Sequence, residues 1–229
     1  IHVTSKEELL AVKNLGFRAP LALIPNGVDL NEFEDMKSKK THRANLGLSD
    51  KYKYILYMGR IEEKKGLHTL LEAYVDFSKK NSGWQIVVAG PIYDKIYYDK
   101  CKSFIENTGC GDSINWIGMV SGSQRIDAYG AADLFVLPTQ SENFGIVIAE
   151  SLAAGLPVIT TDGTPWQEIQ TESAGFIVPL TAQAILLAIE NFNSLNESEV
   201  EEMIRSAKNI AKRYSWDRPA EDMELLYQW

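Results

Sequence analysis

The sequence predicts an α/β fold in which helices cover a doubly wound, Rossmann-like parallel sheet of about six strands. Three observations support this fold class. Short apolar runs rich in Val, Ile and Leu recur along the chain, helical patterns lie between them, and some runs close on glycine, as at Gly59 and Gly90. Continuous apolar strands are typical of a sheet that is buried on both faces. Regular alternation of strand and helix indicates parallel neighbours.

The six apolar runs predict strands at 53–58, 84–89, 114–117, 133–137, 157–160 and 175–178. The patterns between and after them predict helices at 67–79, roughly 93–107, 123–130, 145–154 and 181–192. Apolar residues at helical spacing predict two further helices, at 200–211 and 217–228, and Trp229 continues the apolar stripe of the last one.

The start of the chain departs from the alternating pattern. Thr4 and Glu7 match a capping box, which predicts a helix that ends near Leu15. Residues 21–24 are predicted to form a strand. The stretch 31–50 is polar and charged, and we expect it to be a linker that contains a short helix.

Composition excludes some function classes. The net charge of -8 provides no clustered positive face for nucleic acid. Cys101 and Cys110 are the two cysteines, and they match no metal-ligand pattern. No apolar run approaches the ~20 residues of a membrane span. We therefore expect a cytoplasmic protein, peripheral at most at the inner face of a membrane.

The loop at 59–66 carries the first group of candidate site residues. It reads Gly59-Arg60-Ile61-Glu62-Glu63-Lys64-Lys65-Gly66 and lies between a predicted strand and a helix. Ligands of open α/β sheets bind at the carboxyl ends of the strands. The guanidinium of Arg60 suits phosphate oxygens, and Lys65 adds a point charge. The alternative is a solvated lysine pair on a surface loop.

The second group surrounds the start of the helix predicted at 145–154. Small residues leave the backbone amides of Gly145, Ile146 and Val147 unpaired, and with the helix dipole these amides predict an anion site. Glu142 precedes the helix, where it could cap the first turn or reach a ligand. Glu150 lies on an otherwise apolar helix, where it either bonds a neighbouring turn or accepts hydrogen bonds from vicinal hydroxyls, as in dinucleotide folds.

Four segments resemble the C-terminal half of the retaining GT-B glycosyltransferases of family 4, the glycosyl transferases group 1. They are IPNGVD at 24–29, GRIEEKKG at 59–66, VVAGP at 87–91 and ADLFVLPTQSENFGIVIAESLAAGLPVITTD at 132–162. The last segment contains the family's pair of glutamates eight positions apart, here Glu142 and Glu150. The resemblance covers nearly the whole chain, in the family's order.

This resemblance implies roles for the candidate residues. Arg60 and Lys65 would hold the diphosphate of a nucleotide-sugar donor, and Glu150 would hold its ribose. Glu142 would lie beside the donor sugar as the catalytic residue. The loop Gly118-Met119-Val120 would contact the base.

The remaining site assignments concern the same helix start. Gly145 and Ile146 would join the diphosphate site, while Asn143 and Phe144 would lie on the sugar side. One segment departs from the family's pattern, GTPWQE at 163–168, whose Trp166 either faces the ligands or packs on a short helix.

The resemblance also implies a domain organisation and a reaction. Residues 1–28 would be the tail of an N-terminal acceptor domain and a linker, residues 29–213 the donor-binding domain, and residues 214–229 a crossover helix. The reaction would move a hexose from a UDP- or GDP-sugar to a glycan or lipid-linked acceptor with retention at the anomeric carbon. The acceptor, and any membrane, would be contacted through the N-terminal half, and this chain alone would be inactive.

No cofactor or metal is expected. An Asp-x-Asp in a metal-binding context is missing from the sequence, and His2, His42 and His68 are scattered. Two other functions stay open: a GT-B epimerase acting on a UDP-sugar, and a non-catalytic nucleotide-binding module. An epimerase would be expected to place a histidine at the sugar, and a binding module would not need both glutamates.

Overall fold

The computed structural model describes residues 1–16 and 18–228 of the 229, and within them the chain alternates strand and helix. The strands are β1 (His2–Val3), β2 (Ala22–Leu23), β3 (Lys53–Met58), β4 (Trp84–Ala89), β5 (Ile114–Gly118), β6 (Leu134–Leu137), β7 (Val158–Thr161) and β8 (Gly175–Val178). The α-helices are α1 (Lys6–Asn14), α2 (Asn31–Glu34), α3 (Lys39–Asn45), α4 (Leu67–Ser78), α5 (Lys95–Asn107), α6 (Gly122–Ala131), α7 (Ile146–Ala153), α8 (Glu168–Thr171), α9 (Ala182–Ser194), α10 (Glu197–Lys212) and α11 (Asp217–Gln228).

The central sheet confirms the predicted fold class. Its six strands are parallel and lie in the order β5-β4-β3-β6-β7-β8. Tyr54, Ile55, Leu56 and Tyr57 on β3 are all fully buried, as expected for a strand with helices on both faces. Helix α4 packs on α5 and α9, while α3 packs on α6 and α7 packs on α10. In a doubly wound parallel sheet, two such sets of helices cover opposite faces.

The strand order reverses between β3 and β6. These strands are neighbours, with Ile55 opposite Leu134, but the chain leaves them toward opposite edges of the sheet. Their following loops therefore meet at the carboxyl edge, which is where open α/β sheets bind ligands. Gln140 donates to the Lys64 carbonyl at 2.8 Å, joining the two loops. Gly66 makes this approach possible, because a Cβ there would lie 1.9 Å from the Pro138 carbonyl oxygen.

The predicted capping box is wrong by one residue. Ser5, not Thr4, caps α1, because its side-chain oxygen accepts from the Glu8 amide at 3.1 Å. The carboxylate of Glu8, not that of Glu7, returns to the Thr4 amide at 2.7 Å. The strand predicted at 21–24 is confirmed as the two-residue β2, which pairs in parallel with β1.

The stretch 31–50 is not the linker that we expected. It forms α2 and α3, and Phe33, His42 and Arg43 are buried. The Arg43 guanidinium donates to the Ala131 carbonyl at 3.1 Å and to the Asp133 carboxylate at 2.8 Å. Because these partners satisfy its charge and hydrogen bonds, a polar segment packs here as part of the fold.

The predicted helices near the C-terminus are confirmed as α10 and α11. Asn196 and Glu199 form a capping box that begins α10. Helix α11 ends at Gln228, and the predicted position of Trp229 lies outside the described residues. Over the described part of the chain, no helix has both the length and the apolarity to cross a membrane.

Candidate functional site

A cleft of about 560 Å³ opens where the loops after β3 and β6 meet. Seven predicted site residues line it: Arg60, Lys65, Glu142, Asn143, Phe144, Gly145 and Ile146. Thr4 and Glu8 of the N-terminal segment line the same cleft. The structure thus brings together the residues predicted for the diphosphate and the sugar.

The two cationic side chains predicted for the site differ in their exposure to solvent. The Arg60 side chain is 48% exposed, pairs with Glu62 at 2.8 Å, and lies with its guanidinium carbon 4.9 Å from the centre of the Tyr93 ring. The Lys65 side chain is 11% exposed, and its Nζ lies 2.5 Å from Oε1 of Glu142. Arg60 therefore stands at the open rim, whereas Lys65 is a largely buried charge with a buried partner.

The start of α7 provides unpaired backbone donors. Gly145 precedes the helix with φ of 81°, a left-handed conformation that glycine adopts without steric cost. Among the described residues, no group accepts from the amides of Gly145, Ile146 or Val147. These amides and the helix dipole together favour an anion at this end of the cleft.

Glu142 does not cap α7. Its carboxylate pairs with Lys65, its amide donates to the Gly163 carbonyl at 3.0 Å, and no described side chain caps the helix. Of the two possibilities that the sequence left open, the capping role is wrong. The carboxylate instead lies in the cleft wall, with a side chain that is 13% exposed.

Glu150 lies one turn after Ile146 on α7 and does not belong to the cleft lining. Its carboxylate accepts from the Tyr129 hydroxyl at 2.8 Å and forms an ion pair with Arg125. Burial raises the pKa of the Glu150 carboxyl above its ordinary value, while the Tyr129 hydrogen bond and the Arg125 charge oppose that rise. Both partners come from α6. The prediction that Glu150 bonds a neighbouring turn of its own helix is therefore wrong.

The loop predicted to contact a base also lies outside the cleft lining. Its Gly118 has φ of 72° and accepts from the Gly90 amide at 2.7 Å. Met119 is 72% exposed. The loop leads directly into α6, so it sits at the end of the element that contacts Glu150.

Sequence reasoning missed Arg125, Tyr129 and Glu8. A buried carboxylate at position 150 needs a partner. The sequence contains 23 lysines and arginines, and their positions do not indicate which one packs against Glu150. The spacing of Arg125 and Tyr129, which places them on one face of α6, is the one signal available. Glu8 reaches the cleft through a contact with Asn143 at 3.3 Å that only the fold creates.

Trp166 packs and does not face the cleft. The side chain is buried, its indole N–H donates to the Phe144 carbonyl at 2.5 Å, and its ring centre lies 4.8 Å from that of Tyr214. It supports the loop that carries Phe144.

Comparison with known proteins places this architecture in a family. The family model of glycosyl transferases group 1 matches residues 38–212. An alpha-monoglucosyldiacylglycerol synthase from Streptococcus pneumoniae is 33% identical over 202 residues, which cover 83% of this chain and 45% of that protein. The chain spans about half the length of the curated relatives it matches.

Solved structures show the same fold. Sucrose-phosphate synthase from Thermosynechococcus elongatus superposes with a TM-score of 0.86 at 25% identity, over 99% of this chain and 57% of that one. HepE from Anabaena in complex with UDP-glucose gives 0.88 at 19% identity, over 100% of this chain and 63% of that one. Since the family model matches more than half of the sequence, this chain belongs to the glycosyl transferases group 1.

Proposed function

We propose that this chain is the donor-binding half of a retaining family 4 glycosyltransferase. The enzyme would move a hexose from a UDP- or GDP-sugar to a glycan or lipid-linked acceptor, with no metal or other cofactor. One observation carries the proposal: Arg60, Lys65 and the unpaired amides of α7 face a single cleft at the point where the strand order reverses. Family membership supports sugar transfer as the reaction.

The cleft suits a nucleoside diphosphate. Arg60 offers a planar fork at the open rim, Lys65 offers a charge deeper in, and the amides of Ile146 and Val147 offer donors from the third side. As the bond to the sugar breaks, negative charge grows on the diphosphate. Fixed cations and helix dipoles stabilise such charge without rearranging during the reaction.

Glu142 would act on the sugar side of the diphosphate. Its ion pair with Lys65 places a carboxylate directly beside a cation, so that one pair can contact both the sugar and the phosphate. The carboxylate would orient sugar hydroxyls and stabilise positive charge at the ring, while Asn143 and Phe144 complete that wall. With retention, the acceptor attacks on the face from which the diphosphate leaves.

The acceptor belongs to the part of the enzyme that this chain does not contain. The pneumococcal relative is named for a product that joins glucose to diacylglycerol, which supports a hexose donor and a lipid-linked acceptor. We propose that the enzyme acts in the cytoplasm and that any membrane contact is made by the acceptor domain. The isolated chain should bind nucleotide weakly and show little or no transfer, and robust transfer by this chain alone would contradict that point.

Calorimetry with UDP and with GDP tests the diphosphate site. We expect the Arg60→Ala/Lys65→Ala double variant to bind at least about tenfold more weakly, since each lost charge-assisted hydrogen bond removes ~1.5–3 kcal/mol. The matched control is Lys80→Ala/Arg205→Ala, which removes two exposed cations after α4 and on α10. Equal binding by the wild-type protein and the Arg60→Ala/Lys65→Ala variant would contradict the assignment.

A further inference from the structure

Arg125 links three helices that meet beside the cleft. Its guanidinium pairs with Glu150 on α7 through one terminal nitrogen and with Glu32 on α2 through the other. Tyr129, one turn along α6, donates to the second oxygen of the Glu150 carboxylate at 2.8 Å. The contacts that hold Glu150 thus come from residues far away in sequence, and none of them belongs to the family pattern on which its role was predicted.

Glu150 lies on the same face of α7 as the cleft wall. Ile146 and Val147 line the cleft, and Glu150 follows them at the four- and three-residue spacings that align side chains on one helix face. One turn of helix advances ~5.4 Å along the axis. A ligand with its diphosphate at the start of α7 would therefore bring the next group of the molecule, the ribose, toward Glu150.

The carboxylate of Glu150 accepts hydrogen bonds on both oxygens but still has free acceptor positions. An ionised carboxylate has about four acceptor positions. Arg125 and Tyr129 take one on each oxygen, which leaves one on each oxygen for an incoming hydroxyl. The Glu150 side chain is 12% exposed, and burial raises the pKa of its carboxyl, whereas the charge of Arg125 lowers that pKa and so favours the ionised form.

We propose that Arg125 is a positioning residue for nucleoside recognition: it fixes the Glu150 carboxylate, so that the free acceptor positions of that carboxylate bind the two ribose hydroxyls. This inference rests on the proposed function, because it takes a nucleoside diphosphate as the ligand. Arg125 acts through Glu150, and no contact between Arg125 and the nucleotide is required.

Ribose discrimination separates positioning from mere structural support. Calorimetry would compare UDP or GDP, whichever binds more tightly, with its 2′,3′-dideoxy analogue. For the wild-type protein we expect the natural nucleotide to bind about tenfold or more tightly than the analogue, because two hydrogen bonds to a charged group are lost. In Arg125→Met the ratio of the two dissociation constants should fall toward one, and Arg125→Lys should restore part of it.

A matched control is Arg213→Met. Arg213 also bridges two glutamates, Glu168 and Glu172, but it follows α10 and does not line the cleft. We expect this variant to keep the wild-type ratio. Circular dichroism and thermal melting of each variant establish that the fold is retained, and Arg125→Lys serves if Arg125→Met fails to fold.

Two outcomes would overturn the inference. The ratio could stay at its wild-type value in Arg125→Met, with or without a common loss of affinity for both ligands, or the wild-type protein could bind both ligands equally. In each of these cases the diphosphate site could still depend on Arg60 and Lys65. Failure of the proposed function would give a different result. In that case, substituting Arg60 and Lys65 would not change the binding of UDP or GDP, or neither nucleotide would bind the wild-type protein.

Discussion

Two ion pairs hold the candidate carboxylates Glu142 and Glu150, and each pair joins two different elements of the fold. Lys65 and Glu142 connect the loops after β3 and β6, and Arg125 and Glu150 connect α6 to α7. A largely buried charge that loses its partner destabilises a protein more than the intact pair stabilises it. Each pair therefore fixes the geometry of the site and makes it vulnerable to single substitutions.

The Lys65–Glu142 pair should show strong coupling in a double-mutant cycle. We expect Lys65→Met to lower the free energy of unfolding by about 2 kcal/mol, since it leaves the Glu142 carboxylate without its cation. Adding Glu142→Gln should recover most of that loss. Urea unfolding of the wild-type protein, both single variants and the double variant measures the coupling, and additive losses would contradict a specific pair.

The two cysteines should differ sharply in reactivity. Cys101 is fully buried, and burial raises the pKa of its thiol to about 11, whereas Cys110 is partly exposed. At pH 8 only about one Cys101 thiol in a thousand would be the reactive thiolate. Brief treatment of the folded protein with a maleimide, followed by peptide mass spectrometry, should find the label on Cys110. Equal labelling of both residues would contradict the buried position of Cys101.

For single residues, the sequence indicates candidate carboxylates but not what holds them. Glu142 and Glu150 stand out because they lie just before and in the middle of an apolar helix. Lys65 was assigned as a phosphate ligand without its ion pair to Glu142, which is 77 positions away. Arg125 was not singled out at all. Which side chains pair across elements depends on how the strands and helices are arranged. Local spacing in the sequence does not indicate that arrangement.

At the scale of elements, the loop 59–66 depends on its close contact with the loop after β6. Gly66 has φ of 69°, and an added Cβ would lie 1.9 Å from the Pro138 carbonyl oxygen. Gly47 has nearly the same φ of 68°, yet an added Cβ would meet no described atom within 4 Å. The two positions separate the effect of backbone conformation from that of crowding.

Alanine substitutions at these two glycines should differ in effect. Gly47→Ala should lower the free energy of unfolding by about 1 kcal/mol, the strain of a left-handed residue that carries a Cβ. Gly66→Ala should cost about 3 kcal/mol or more, since the backbone must also shift away from Pro138. Urea midpoints measure both, and equal losses would show that the loops do not meet as described.

Elements with a continuous apolar pattern were predictable, and the short polar ones were not. The six strands of the sheet were predicted within a residue or two, because a sheet buried on both faces requires unbroken apolar runs. The polar sequence of the stretch 31–50 predicts a linker, yet the stretch packs into the fold, because its burial depends on Arg43 and on partners such as Asp133, 90 positions away. The capping error at Thr4 arose from two adjacent residues that can both cap.

Across the whole molecule, the reversal of strand order determines where the candidate site forms. It brings the ends of β3 and β6 side by side, so two loops and the start of α7 supply cations and amides to one cleft. The sheet itself carries none of these groups, but it fixes their distances. The chain spans about half the length of the curated relatives it matches.

A crystal structure of the protein bound to UDP or GDP would show whether this cleft holds the diphosphate of a nucleotide sugar, as we propose. We expect diphosphate oxygens within about 2.7–3.2 Å of Arg60, of Lys65 and of an amide at the start of α7, the usual range of such hydrogen bonds. A diphosphate bound elsewhere on the molecule, with this cleft left empty, would contradict the proposed diphosphate site.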